Sequence, residues 1–285
     1  MKLQQKNDLY GFLLVFPSFI ILGLIFFYPL FYTLFLSFYE KLAGGEAKYI
    51  GLQNFVKILT SKSFYNSIIV STMYTVIGVL GKLLIGLSFA LFLNEEFKGR
   101  RFLRGIIIFP WVIPVFATAM IWYWLFDLQL GPINIILDYL FKTRIQWISP
   151  DYALLSIIIV QLWKGIPFFT VCLLAGLQSI PKELYDAAEV DGASSWKKFL
   201  YITLPGLKYI IASTSLISGI WTFSEFTAPY MLTRGGPGDK TELIAIHIYK
   251  ETFSRYDFGY SSAMVICLLP FLLPFILYIL RSMGR

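Results

Sequence analysis

Six long stretches of this sequence are almost free of charge, and they leave the chain few options. Three contain no Asp, Glu, Lys or Arg: 9–39, 105–126 and 258–280. Three carry one charge each: 68–93 contains Lys82, 152–177 contains Lys164 and 209–233 contains Glu225. Together they make up more than half of the 285 residues. About 20 mainly apolar residues cross the roughly 30 Å of a hydrocarbon core. In lipid the backbone polar groups of such a segment must be satisfied within the segment, so each run is expected to be a helix. The apolar–polar alternation of a barrel strand is absent. The expected fold is an all-α, polytopic membrane protein with six transmembrane helices and a single transmembrane domain over residues 1–285.

The composition agrees. The chain is 57% hydrophobic and 14% charged, against roughly 45–50% and about 25% for a soluble domain. A soluble enzyme and a disordered chain are both disfavoured. The first run follows Lys2 and Lys6, but its apolar stretch is far longer than a signal core and no small-residue cleavage site ends it, so it reads as a retained helix. The net charge of +7 does not point to nucleic acid, because the basic residues lie in short loops between apolar runs. Cys172 and Cys267 both fall inside apolar runs, and His247 is the only histidine, so neither a disulfide framework nor a multi-His metal site is expected.

Six spans put both termini on one side. With the termini inside, cytoplasmic segments hold 12 of the 24 Lys and Arg and the outer loops hold 10. The tight cluster Lys98, Arg100, Arg101 and Arg104 gives the clearest sign, since basic residues favour the cytoplasmic side. The termini are therefore expected in the cytoplasm.

Two glycine-rich segments resemble phosphate loops only superficially. Gly78–Lys82 lies in a span, and in the segment 235–241 Asp239 separates Gly238 from Lys240. A phosphate loop needs adjacent Gly-Lys and Ser/Thr opening a helix after a strand. No nucleotide site is expected in this chain, and no catalytic site or metal.

The loop 179–205 is the most informative. Pro181 suits a first helical turn, supported by Glu183 and Asp186. Gly192 can take the left-handed conformation that ends such a helix. Ser194 or Ser195 can cap a second short helix, and Pro205 is expected to stop it. Two short helices joined at Asp191-Gly192, outside the bilayer, are the expected product. Ala187 and Ala188 give the first a small-residue surface that another protein can approach closely; the plain alternative is an amphipathic loop on the membrane surface.

The run Asp186-Ala187-Ala188-Glu189-Val190-Asp191-Gly192, followed after the family spacing by Ile202-Thr203-Leu204-Pro205, resembles the EAA loop of permeases of ABC importers, with Asp186 where Glu is usual. Tyr49-Ile-Gly-Leu-Gln-Asn54-Phe is similar to that family's first outer loop. Gly99-Arg-Arg-Phe-Leu-Arg104 with Phe109-Pro-Trp111 is similar to the beginning of its third span. The segment 232–241, with Ile248-Tyr249 and Phe258-Gly259, resembles the outer loop of the maltose and glycerol-phosphate type, first permease subunit. The resemblance implies a type I ABC importer permease in the plasma (inner) membrane of a prokaryote. Its implied partners are a second permease in a heterodimer, two ATP-binding cassette subunits and an extracellular solute-binding protein. ATP-Mg is implied on the ATPase subunits and no cofactor on this chain. It further implies that Asp186, Ala187, Ala188, Asp191 and Gly192 form a coupling helix. Closure of the ATPase subunits on ATP would rock the spans through it.

Span four carries Gln161, Lys164, Gly165 and Phe168, and span five carries Ser218, Trp221, Thr222 and Glu225. Each set has the spacing i, i+3, i+4, i+7 and so forms one helical face. Intramembrane polar groups usually face a bundle interior or a wet cavity. An amide, hydroxyls, a carboxylate and aromatic rings suit a sugar, so these eight are candidates for a substrate path. The alternative is helix packing, strongest for Gly165 and Ser218. Lys164 and Glu225 differ in depth by about 8 Å at helical rise, so a direct bridge needs both long arms or a water. Lys82 is expected to snorkel to the interface, and Trp122, Tyr123 and Trp124 to sit in an aromatic belt. A sugar-importing permease subunit that is not itself an enzyme is the favoured function. Its rivals are a secondary transporter or channel using Lys164 and Glu225, and an intramembrane enzyme. The latter lacks paired intramembrane carboxylates and a nucleophile–base pair.

Overall fold

The computed structural model describes residues 2–283, with side chains from Gly11 to Pro270. The side chains of Lys2, Lys6, Arg281 and Arg285 used in the orientation count lie outside those described. The chain divides into two compact units, residues up to Ser61 with Ile248–Phe271, and Lys62–His247 with the C-terminal end.

The first unit opens with α1 (Lys2–Leu22), a π turn at Gly23–Phe27 and α2 (Tyr28–Leu36). From Gly11 to Leu36 this rod has a mean hydropathy of 2.4 and buries none of its side chains in the fold. A polypeptide face that apolar is stable only against lipid or another protein. A small ribbon follows, which departs from an all-α reading, as does the isolated bridge between Leu42 and Asp257. β1 (Tyr39–Glu40) pairs antiparallel with β2 (Lys48–Tyr49), Tyr39 opposite Tyr49. It sits just beyond α2, where backbone groups are no longer satisfied within a helix. In α3 (Gln53–Thr60) the buried Asn54 amide donates to the carbonyls of Ser37 and Tyr39, both at 3.0 Å, and so pins the ribbon to the end of the rod.

The second unit is built on α4 (Lys62–Asn94). Next come α5 (Arg100–Val112), α6 (Val115–Leu125), α7 (Pro132–Phe141) and α8 (Ala153–Ser179). The loop 179–205 holds α9 (Lys182–Val190) and α10 (Ser195–Lys198). Beyond it lie α11 (Leu204–Phe223) and α12 (Thr227–Thr233); α13 (Ile244–Tyr249) passes from this unit into the first after His247, and the described side chains of α14 (Phe258–Met283) belong to the first unit. Among the described residues four helices are long and apolar enough to cross a membrane, or five when α5 and α6 count as one span. The run 258–280 folds as α14, whose described side chains end at Pro270.

The third apolar run is not the straight helix its composition suggests. α5 and α6 meet at 97°. The hinge is Ile113-Pro114: proline removes the N–H and disfavours helical backbone in the residue before it, and Ile113 is extended at φ −65° and ψ 132°. Two π turns have a similar cause. The turn at Gly23–Phe27 precedes Pro29, and the one at Phe199–Thr203 precedes Pro205. Widening the helix just before a proline gives room for its ring, so the axis continues. Pro205 therefore does not stop the second short helix, as its residue type suggests; Ser195–Phe223 runs on as one 29-residue rod.

The helices α4 and α8 lie close because glycines floor their contact. A Cβ on Gly86 would stand 2.6 Å from the Cβ of Phe169 and 3.2 Å from the amide nitrogen of Thr170, and one on Gly81 would stand 2.6 Å from Leu162. Small residues at such crossings let backbones approach. Gly86→Ala is expected to cost about 1–3 kcal/mol by overpacking, read as a lower thermal midpoint of the purified protein. Gly219→Ala is the control, since nothing lies within 4 Å of its Cβ position. Equal midpoints for Gly86→Ala and wild type would refute the close-contact account.

Two apolar clusters fill this unit. One contains Tyr74, Phe126, Trp147 and Ile157. The other contains Ala90, Leu93, Phe169, Leu173 and Leu207. On α4 and α8 the clusters occupy opposite ends, and Lys82, Gln161 and Lys164 lie between them.

Candidate translocation cavity and coupling loop

Between the clusters opens a cavity of about 280 Å³. All eight residues singled out on the two spans line it: Gln161, Lys164, Gly165 and Phe168 from α8, and Ser218, Trp221, Thr222 and the following Glu225 from α11 and its end. α4 adds Tyr74 and Lys82, α5 adds Trp111, and α6 adds Thr118. The helical faces drawn from spacing alone thus converge.

Lys82 is where the sequence reading fails. It does not snorkel. It is 4% exposed and donates to Ser218 Oγ and Thr222 Oγ1, both at 2.9 Å. Lys82 stands twelve residues before the end of α4, about 18 Å of helical rise, and the interface is out of reach. Its stem crosses α8 at Gly165, where any Cβ would collide with it. Gly165 is therefore both a packing residue and a cavity wall. Gly78 plays the same part for Gln161. The missed signal lay in the spacing: Gly78, Lys82 and Gly86 share one face of α4.

Lys164 has a different role from the one its charge suggests. Its ammonium donates to the carbonyl oxygens of Pro110 (3.1 Å), Trp111 (2.9 Å) and Ile113. These are carbonyls at the broken end of α5, which lack partners in their own helix. A cation there is also favoured by the helix dipole. Among the described residues no salt bridge joins Lys164 to Glu225. Glu225 Oε1 instead accepts from the backbone N–H of Ala228 at 3.3 Å, in the first turn of α12.

Three rings form a row along the cavity. Trp111 and Phe168 have centroids 6.0 Å apart, and Phe168 and Trp221 5.2 Å apart. Beside them, both amide atoms of Gln161 and the hydroxyl of Thr118 are buried without a hydrogen-bond partner. Buried polar groups are normally paired, and these are not; the Gln161 amide lies against Gly78 of α4. Trp122 does not stand in an aromatic belt by itself: it packs on Phe126 and Trp163, while Tyr123 and Trp124 are exposed.

The loop 179–205 folds as its residues suggest up to the second helix. Glu183 occupies the first turn of α9. Gly192 sits at φ +73°, and the amides of Gly192 and Ala193 donate back to the carbonyls of Glu189 (3.0 Å) and Ala188 (2.8 Å). This is the Schellman pattern of a glycine-terminated helix. Ser194, rather than Ser195, is the cap of α10, accepting from Lys197 N. The Tyr185 hydroxyl lies 3.0 Å from Thr203 Oγ1 and fastens α9 to the π turn. Asp186, Ala187, Asp191 and Gly192 are exposed and Ala188 is half-buried. Leu184 and Val190 are exposed too, Val190 at 89%.

The family described as "Binding-protein-dependent transport system inner membrane component" matches residues 82–281, which include this loop and every cavity residue named above except Tyr74. The chain belongs to that family. It is a multi-pass inner-membrane permease of a binding-protein-dependent ABC importer. Such a permease is a transport component; it binds no cofactor, and ATP is hydrolysed in a separate subunit. It is one component of a transport system that depends on a binding protein. The permease is 34% identical over 286 residues to the trehalose/maltose transport system permease protein MalF of Thermococcus litoralis, covering 100% of this chain and 96% of that protein. It is 35% identical over 267 residues to the sulfoquinovosyl glycerol transport system permease protein SmoG of Agrobacterium fabrum, covering 93% and 87%. Among solved structures, a chain of a bacterial ABC transporter involved in import of the acidic polysaccharide alginate matches with a TM-score of 0.81 at 23% identity, covering 100% of this permease and 99% of that chain. At that identity the likeness concerns the fold.

Proposed function

We propose that this permease forms one half of the path for a sugar or oligosaccharide, with the cavity between α4, α8 and α11 as its solute-contacting wall. The observation that carries the reading is the row of Trp111, Phe168 and Trp221 beside the unpartnered Gln161 and Thr118. Sugar rings offer apolar faces to aromatic rings and hydroxyls to polar groups. The names of the two curated relatives, which concern trehalose or maltose and a sulfoquinovosyl glycerol, support a carbohydrate. An ion-coupled carrier built on a Lys164–Glu225 pair has less support, because Lys164 is held by backbone carbonyls.

The complete assembly in this reading contains a second, different permease, two ATP-binding cassette subunits and a binding protein outside. Six spans, with α14 the sixth, put both termini in the cytoplasm, and residues 1–285 form one transmembrane domain. Asp186, Ala187, Ala188, Asp191 and Gly192 dock on an ATPase subunit; exposed Leu184 and Val190 give that surface the apolar area a protein contact needs. The test is solute uptake by the reconstituted complex. Trp221→Ala is expected to lower uptake about threefold to tenfold, the worth of an aromatic contact. Assembly should be unchanged, since Trp221 is 55% exposed. Unaltered uptake and unaltered binding-protein-stimulated ATP hydrolysis would remove the cavity from the path.

A further inference from the structure

The apolar packing of the second unit stops partway along α11. Leu207, Ile210 and Ile211 belong to the cluster around Phe169 and Leu173, and no later residue of α11 enters either cluster. At this end, nearer the loop 179–205, α8 and α11 touch tightly: a Cβ on Gly176 would collide with Ile210 and stand 2.7 Å from Leu207 Cδ2. Toward the cavity the buried residues of α11 are Thr214, Ser218 and Thr222, all polar. They repeat every four residues and so share one face. Apolar packing thus holds one half of the helix, and the other half is held differently.

Lys82 supplies the contact from α4. Among the described residues its bonds to Ser218 and Thr222 are the only side-chain hydrogen bonds that join α4 to α11. One ammonium spans two hydroxyls a turn apart, so it fixes the direction of the helix as well as its distance. The stem reaches them over Gly165 of α8, where a Cβ would collide with Lys82 Cδ. A single side chain therefore touches three helices at one level. From α8, Cys172 pairs with Thr214, and the ring of Phe168 meets Trp221 at 5.2 Å. Trp221 is the neighbour of Thr222, and Glu225 follows three residues later; both line the cavity. A buried charge is a costly way to join two helices in a membrane, and an apolar pair of the same volume would fill the space with nothing to desolvate. What a cation with two acceptors adds is direction.

We infer that Lys82 is a positioning residue that locks the cavity end of α11 to α4 and α8, so that the three helices move as one body while the ATPase subunits cycle. α11 belongs to one 29-residue rod that begins in the loop 179–205. A tilt applied at the loop therefore arrives at the cavity. Without the lock, that end of the rod would swing against α4, and the wall carrying Trp221 and Glu225 would shear instead of turning. The inference holds whichever solute the cavity takes.

The test is spin-label distance measurement on the full importer complex, nucleotide-free and trapped with ATP-Mg and vanadate. The labels sit on Leu80→Cys of α4, an exposed position, and on Gly219→Cys of α11, whose Cβ position is open, with Cys172→Ser and Cys267→Ser in the background. With Lys82 in place one distance is expected, the same in both states. Lys82→Met is expected to add a second, longer distance in about a tenth of the molecules or more, the occupancy of a minor conformer. The freed hydroxyls can bond to carbonyls of their own helix, so this variant is expected to fold, which its thermal midpoint checks. Gly165→Ala displaces the stem and keeps every polar group, and is expected to add the same longer distance. Lys82→Arg, which keeps charged donors, is expected to give one distance again. A distance that changes between the two states with Lys82 in place would overturn the lock. So would a single unchanged distance in Lys82→Met or, should that variant not fold, in Gly165→Ala. A second population as large in Lys82→Arg as in Lys82→Met would assign the contact to packing alone and would also overturn it.

Discussion

Gly192→Val is expected to lower solute uptake and binding-protein-stimulated ATP hydrolysis about tenfold, the effect of roughly 1–2 kcal/mol of left-handed backbone strain on a single loop. Gly192 lies at φ +73°, and its amide donates to Glu189 at the end of α9. A Cβ there would meet nothing within 4 Å, so no clash arises. The whole cost falls on the turn that fixes α9 against α10. Thermal stability of the complex should therefore stay near wild type while coupling falls. Gly192→Asn should recover most of the loss, because asparagine tolerates the left-handed region and valine does not. Wild-type uptake by the valine variant would sink the coupling role proposed for this turn. Equal loss by valine and asparagine would show that the side chain's bulk, rather than the backbone, is what the partner rejects.

Lys164→Met is expected to lower the thermal midpoint, with a loss of about 1 kcal/mol for removing a charged donor from partly exposed carbonyls. Methionine keeps the length and the apolar stem but leaves carbonyls at the end of α5 without their donor. Lys164→Arg should retain at least part of the stability. Glu225→Gln should be nearly neutral for stability, because an amide oxygen can still accept from Ala228 N. The double variant should be close to the sum of the singles, as expected for groups that do not share a contact. If Glu225→Gln costs as much as Lys164→Met and the double variant costs no more, the two charges act as a pair, and the helix-end account of Lys164 is wrong.

The cavity was largely legible in the sequence, and the reason is geometric. Gln161 to Phe168 and Ser218 to Thr222 repeat at helical spacing, so each set shares one face once its segment is a helix, while Glu225 lines the cavity from the break between α11 and α12. The termination of α9 at Gly192 was legible for a similar reason: it depends on one residue's backbone freedom. What was hidden depends on contacts distant in sequence. Lys164 meets carbonyls more than fifty residues away, and Lys82 crosses to hydroxyls on α11. Depth along one helix cannot show either. Pro114 and Pro205 carry the same local signal with opposite outcomes. At Pro114 the preceding residue goes extended and the axis turns by 97°. At Pro205 five residues widen into a π turn and the axis continues. The sequence marks a disturbance at both places; the surrounding packing decides which form it takes.

The π turn at Phe199–Thr203 has a further consequence for how the two ends of this rod are phased. A π turn holds one residue more than the α turn it replaces. Every side chain before it is thereby rotated relative to every side chain after it by about 100°. The angular setting of the loop on one end against Ser218 and Thr222 on the other is thus encoded by a single inserted residue. Excising that residue would leave both surfaces chemically intact and point one of them the wrong way.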